Sequence, residues 1–226
     1  MKRLLILSTA TILIFTSVTL SSPPNGNPDQ ILAKMQEAAK KITTIRASIE
    51  QMKKYDIGGK PETYRGILIF KHAGKSDWLR INYDNTQQVS VDPSKIVLYQ
   101  PKINQAIVTT RGQLAAKNQE FAFFSAPYSL TGAQMKQRYD IVHTGDEQVG
   151  GVNTSVLQLT PKQQSAVRQM KWWVSQASWL PVKSEMIDSR SGDITTFTMG
   201  NMEINPKIAD SEFKIKFAPG TKIVNK

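Results

Sequence analysis

Tyr64-Arg-Gly-Ile-Leu-Ile-Phe70 decides the fold class. Its last four residues are apolar on both faces of an extended chain, and turn signals bound the run: Gly58-Gly59 before it, Ala73-Gly74-Lys75 after it. Further along, Asp84-Asn85, Asp92-Pro93, Gly150-Gly151 and Ser191-Gly192-Asp193 punctuate the chain in the same way, so the segments between them read as strands of an antiparallel meander. Leu79, Ile81 and Tyr83 alternate with Arg80 and Asn82, and Phe213, Ile215 and Phe217 alternate with Lys214 and Lys216, which is the pattern of a sheet with one wet and one dry face. Ile67 to Phe70, Ile96 to Tyr99 and Trp172-Trp173-Val174 are instead apolar on both faces, which predicts a strongly curved sheet with a covered concave side or an enclosed cavity.

Two stretches carry a helical period. Asn27 is a good N-cap, Pro28 suits the first helical position, and Ile31, Met35, Ala38, Ala39 and Ile42 then fall on one face while Lys34, Gln36, Lys40 and Lys41 take the other. Such a helix needs a sheet to cover. From Leu114 to Arg138 apolar residues cluster at helical spacing between Pro127, Gly132 and polar stretches, predicting a loop that bears short helices. Phe121, Phe123, Phe124, Tyr128 and Leu130 give this segment more aromatic surface than a connector needs, so it reads as a lid over the open side of the sheet or as an ordinary core helix.

The first residues form a secretory leader: Met1-Lys2-Arg3 is a basic start, Leu4 to Phe15 an apolar stretch, and small residues follow. Cleavage is expected after Ser21, with Ser17 and Thr19 as an alternative pair. The competing reading, an uncleaved anchor, is disfavoured because Ser8, Thr9, Thr11 and Thr16 interrupt a run already short of the roughly 20 residues that span a bilayer. Residues 22–226 then make one domain of roughly 200 residues, enough for a real core. The chain has no cysteine, so there is no disulfide and no lipidation site at the cut, and stability rests on packing. The formal charge of +11 becomes +9 once Lys2 and Arg3 are removed. Basic residues are scattered singly or in pairs such as Lys40-Lys41 and Lys53-Lys54, without a stripe, so nucleic acid is not an expected partner.

Catalytic chemistry is not indicated. His72 and His143 are the histidines, and neither has ligand spacing of the His-Glu-x-x-His kind. There is no Gly-x-Ser-x-Gly elbow and no phosphate-cradling glycine loop. Ser211-Glu-Phe-Lys214 matches Ser-x-x-Lys only in two residues of an expected strand, and Asp146-Glu147 lies in an expected turn. No enzyme activity, metal or cofactor is expected.

The order of these elements resembles the LolA-type periplasmic lipoprotein carriers and their relatives. The resemblance spans nearly the whole mature chain. It rests on Thr43-Thr-Ile-Arg-Ala-Ser-Ile-Glu-Gln51, on Tyr64 to Lys71 with Gly74-Lys75 and Trp78 behind it, and on Ile96-Val-Leu-Tyr-Gln-Pro101. In the second half it continues through Leu157-Gln-Leu-Thr-Pro161, Leu180-Pro181, Gly192-Asp193-Ile-Thr, Ile204-Asn205 and Asp210-Ser-Glu-Phe213 to Phe217-Ala-Pro-Gly220. What the resemblance implies is a mainly β (α+β) fold: a curved antiparallel sheet forming an incomplete barrel, closed by an N-terminal helix and a helical lid around an apolar cavity. It also implies a monomeric periplasmic carrier whose cargo is acylated lipoproteins, taken from an inner-membrane lipoprotein-releasing ABC transporter and passed to an outer-membrane acceptor. The acceptor branch is usually lipidated, so the missing cysteine favours the carrier role. Carriers of free lipids or glycolipids share the architecture and remain the alternative; a sensor branch with a second domain would need more length. Expected cavity residues are Trp78, Ile81, Leu98, Tyr99 and Trp172, with Phe121, Phe123 and Phe124 on the lid. One departure stands out: where carriers have a latch arginine followed by proline, this chain has His72 and Ala73, and an imidazole has fewer donors than a guanidinium.

Overall fold

The computed structural model describes residues 26–73, 76–84, 86–110, 127 and 130–225. The expected N-terminal helix, α1 (Pro28–Lys40), starts where its capping residues place it: the Asn27 side chain accepts a hydrogen bond from the Asp29 amide, and Pro28 opens the first turn. Ile31, Leu32 and Met35 are its buried face. A second helix, α2 (Gly132–Arg138), begins with a capping box in which Thr131 and Gln134 satisfy each other's backbone amides.

Twelve strands follow: β1 (Thr44–Lys54), β2 (Glu62–Ala73), β3 (Ser76–Tyr83), β4 (Gln87–Val91), β5 (Lys95–Gln100), β6 (Gln105–Thr110), β7 (Tyr139–Val149), β8 (Val152–Pro161), β9 (Val167–Ser175), β10 (Pro181–Asp188), β11 (Ile194–Ile204) and β12 (Lys222–Asn225). They form one sheet in the order β12-β6-β5-β4-β3-β2-β1-β11-β10-β9-β8-β7. The sheet is therefore two meanders, β1 to β6 and β7 to β11, joined where β1 pairs with β11. The two ends, β12 and β7, do not pair, so the curved sheet is an incomplete barrel, as expected. The turns marked by Gly58-Gly59, Asp92-Pro93, Gly150-Gly151 and Ser191 to Asp193 all fall between consecutive strands. At Gly58, Gly59, Gly150, Gly151 and Gly192 the backbone has positive φ, which glycine adopts at little cost.

The sheet is antiparallel as expected, except at its edge, where β12 runs parallel to β6. One expectation is corrected. The run Phe213 to Phe217 is not a strand: a 3-10 turn spans Asp210–Phe213, and the residues after it lie outside the sheet. Their alternation has another cause. From Pro206 to Pro219 the chain crosses the convex face of the sheet as a strap, with Phe213 stacked edge-on to Trp78 at 5.8 Å and Phe217 against Tyr99 at 5.2 Å. The backbone bonds that a strand neighbour would satisfy go to side chains instead: Ser90 Oγ donates to the Phe213 carbonyl at 2.5 Å, and Arg80 donates to the carbonyls of Lys214 at 2.6 Å and Glu212 at 3.2 Å. Salt bridges Arg46–Glu212 at 2.7 Å and Lys71–Asp210 at 2.5 Å tie the strap at its first end.

Candidate functional site

The concave face is built by strand register. Side chains two apart share a face, so the pairings stack apolar rows across strands. One row runs Ile45, Phe70, Leu79, Val91, Ile96; the next runs Ala47, Leu68, Ile81, Val89, Leu98, Ile107. On the other half of the sheet, Phe197, Ser184, Trp172, Leu157 and His143 form one row, and Thr195, Met186, Met170, Leu159 and Ile141 the next. The buried members join Ile31, Leu32 and Met35 of α1 and Met135 of α2 in one apolar cluster. Both helices touch β7 and each other, so they lean on the β7 side of this face. Along β4 to β6 the cover is thinner: Val89, Leu98 and Ile107 are half-buried, an apolar surface that hydrocarbon would fill.

The expected cavity residues divide between the two faces. Ile81, Leu98 and Trp172 lie on the concave side. Trp78 and Tyr99 do not; each is one residue out of phase with the concave rows and packs under the strap on the convex side. In two-faced apolar runs such as Ile96 to Tyr99, sequence alone does not reveal which face meets the helices, because both are buried. Phe121, Phe123 and Phe124, expected on the lid, lie outside the described residues.

His72 sits at the rim, two pairings beyond Phe70 and Leu79 and so on the concave side. Its Nδ1 is 2.7 Å from Asp77 Oδ1, and nearly half of its side chain is exposed. The lid segment it is expected to hold is not among the described residues. His143 is buried at the far end of the Trp172 row; its Nδ1 accepts the Gly26 amide at 3.1 Å while Nε2 meets Asp146 Oδ1 at 3.0 Å. In that pair of bonds Nδ1 is the accepting nitrogen, which leaves Nε2 to donate to Asp146. Among the described residues no nucleophile is hydrogen-bonded to either histidine and no acidic, histidine or cysteine cluster could hold a metal ion. This arrangement can pin chain segments.

Sequence reasoning missed Phe197, Met170 and Leu157 as concave-face residues. The period-2 spacing of Leu157 with Leu159 was the available signal; nothing local reveals that β11 returns to β1. On the outer side of α1 a separate groove of about 520 Å³ lies between Ala33, Lys34, Glu37, Ala38 and the β9–β10 turn. Its floor is Trp179, held at φ 57° with Lys34 Nζ 4.1 Å from the ring centroid, an unusual conformation for an aromatic residue.

Residues 40–216 match the sequence pattern of the family described as outer membrane lipoprotein carrier protein LolA. The chain belongs to the LolA family. The match covers β1 to β11 and all but the end of the strap. Solved structures agree in fold. An uncharacterized conserved protein from Thermus thermophilus is similar at TM-score 0.56 and 8% identity, covering 88% of this chain and 100% of that one. MucB in the Pseudomonas aeruginosa MucA/MucB complex is similar at TM-score 0.51 and 14% identity, covering 84% of this chain but only 62% of that one. No curated protein sequence is significantly similar to this chain. Among the described residues no helix is long and apolar enough to cross a membrane. A LolA-family fold with an apolar concave face is a lipid-binding or lipoprotein-binding architecture.

Proposed function

We propose that the protein is a periplasmic carrier that takes the acyl chains of lipoproteins into its concave face and moves them from the inner to the outer membrane. The observation that carries this reading is the pair of apolar rows across β1 to β6, ending in the half-buried Val89, Leu98 and Ile107. Family membership supports it. Moving one acyl methylene into water costs about 0.8 kcal/mol, so a triacyl anchor costs on the order of 30 kcal/mol and cannot cross an aqueous space unaided. A face of Leu, Ile, Val and Phe replaces membrane hydrocarbon with protein hydrocarbon, which leaves each handover close to balanced. The partners in this reading are acylated lipoproteins, a lipoprotein-releasing ABC transporter in the inner membrane and an acceptor at the outer one. His72 is the proposed lid latch, anchored by Asp77.

The test is native mass spectrometry of the mature protein isolated from its own host, with release and identification of the bound mass. Acylated polypeptide is the expected result. Free phospholipid or glycolipid as the sole stoichiometric ligand would replace the lipoprotein reading with the free-lipid alternative, and an empty protein would count against both.

A further inference from the structure

Trp172 lies at the centre of the concave face, 1% exposed, and its Nε1–H meets no hydrogen-bond acceptor among the described residues. The neighbouring indole is the contrast. Trp173 points to the other face, and its Nε1 donates to Glu147 Oε2 at 2.7 Å while Lys183 Nζ lies 4.0 Å from its ring centroid. The fold thus gives a structural tryptophan its partner within two strands and leaves the concave one without. Directly across from Trp172 on β10 is Ser184, also buried, which makes no side-chain hydrogen bond among the described residues. Paired residues on one face of a sheet hold their Cβ atoms about 5 Å apart, so the two donors are side by side. Around them are Phe197, Leu157, Met170 and Val174.

We infer that the Trp172 indole N–H, with the Ser184 hydroxyl beside it, receives the ester carbonyl of a bound acyl ligand. The inference rests on the carrier reading and deepens it by naming the ligand group that is recognised. A hydrocarbon tail has no acceptor to give these donors. A fatty-acid carboxylate would bring a charge into a row that, among the described residues, contains no lysine or arginine, which is far costlier than a neutral group. An ester supplies a neutral carbonyl at the head of an acyl chain, whose tail the flanking apolar residues can contact. Bound ligand satisfies the Trp172 N–H, a donor that the empty protein leaves buried without a partner, so occupancy by ester-linked chains in particular is favoured. The helices α1 and α2 lean on β7 beside this row.

The experiment compares binding of a diacylglycerol ester probe with the matching dialkyl ether, whose chains are identical and whose carbonyls are missing. For the unaltered protein the ester is expected to bind about ten-fold more tightly than the ether. Replacing Trp172 with β-(3-benzothienyl)alanine, which keeps the ring shape and substitutes sulfur for N–H, is expected to bring the ratio close to one. A second readout needs no variant: in ¹⁵N-labelled protein the Trp172 indole resonance moves downfield on adding the ester and stays in place with the ether, while that of Trp173 stays in place with both. Equal binding of ester and ether, or a ratio that survives loss of the N–H, overturns this inference and leaves the carrier reading intact. Failure of both probes to bind overturns the carrier reading and the inference with it.

Discussion

At Gly66 the sheet leaves no space for a side chain: a Cβ built there would lie 2.0 Å from the Asn82 carbonyl oxygen on β3. Gly66 sits between Ile49 and Tyr83 in register, so its neighbours are backbone and cannot swing aside. Gly66→Ala is expected to destabilise the protein by about 1–3 kcal/mol, read as a lowered denaturant midpoint; an unchanged midpoint would mean that β2 and β3 separate at no cost. His72 offers the opposite experiment. With Asp77 2.7 Å away, a guanidinium at this position has an anchor and further donors to spare. His72→Arg is expected to slow amide exchange in the segment between β6 and α2, as a stronger latch would; unaltered exchange would remove His72 from that role.

The strap over the convex face is the element whose energetics are easiest to test. Phe213 is 1% exposed and covers Trp78, so Phe213→Ala is expected to cost about 3–5 kcal/mol, measured by equilibrium unfolding. Its neighbour Glu212 makes the strap sensitive to acid. The hydrogen bond from Arg46, followed by that from the Ala209 amide, holds the Glu212 carboxyl below its usual value of 4.5. A depressed folded pKa contributes stability that is complete above the unfolded value and is lost as pH falls through the folded one. The unaltered protein should therefore lose a small increment below about pH 4.5 that Glu212→Gln lacks, and parallel stability profiles for the two from pH 3 to 6 would show that the pair is fully screened. This element also marks the limit of what the sequence discloses. The helix α1 is legible because Asn27 and Pro28 are local signals, and the hairpins because their turns announce themselves within four residues. The strap reads as a strand because Phe213 and Phe217 alternate with lysines in either case, and the choice between ladder and side-chain partners depends on Arg80 and Ser90, over 120 residues away. The same non-locality hides from the sequence that Trp78 and Tyr99 face the strap, whereas Ile81, in phase with Leu79 and Tyr83, faces the concave side.

At the level of the whole molecule, an unclosed sheet with an apolar hollow is a container whose stability depends on its contents. If a diacyl ligand binds only the folded form, then at a free concentration one hundred times its Kd it is expected to raise the unfolding free energy by about 2.7 kcal/mol, visible as a concentration-dependent rise in Tm. A Tm indifferent to ligand would mean that the hollow stays shut. The strap and β12 bear on a different matter, the order in time. A chain is made from its amino end, so Ile69, Val97 and Tyr99 on the convex face are assembled into strands well before Phe213, Phe217 and the edge strand β12 exist to cover them. During that interval the nascent sheet is greasy on both sides, and loop closure between β6 and β12 spans more than a hundred residues. The strap is therefore expected to dock late, and the uncovered sheet is the form that a chaperone or an aggregate would capture.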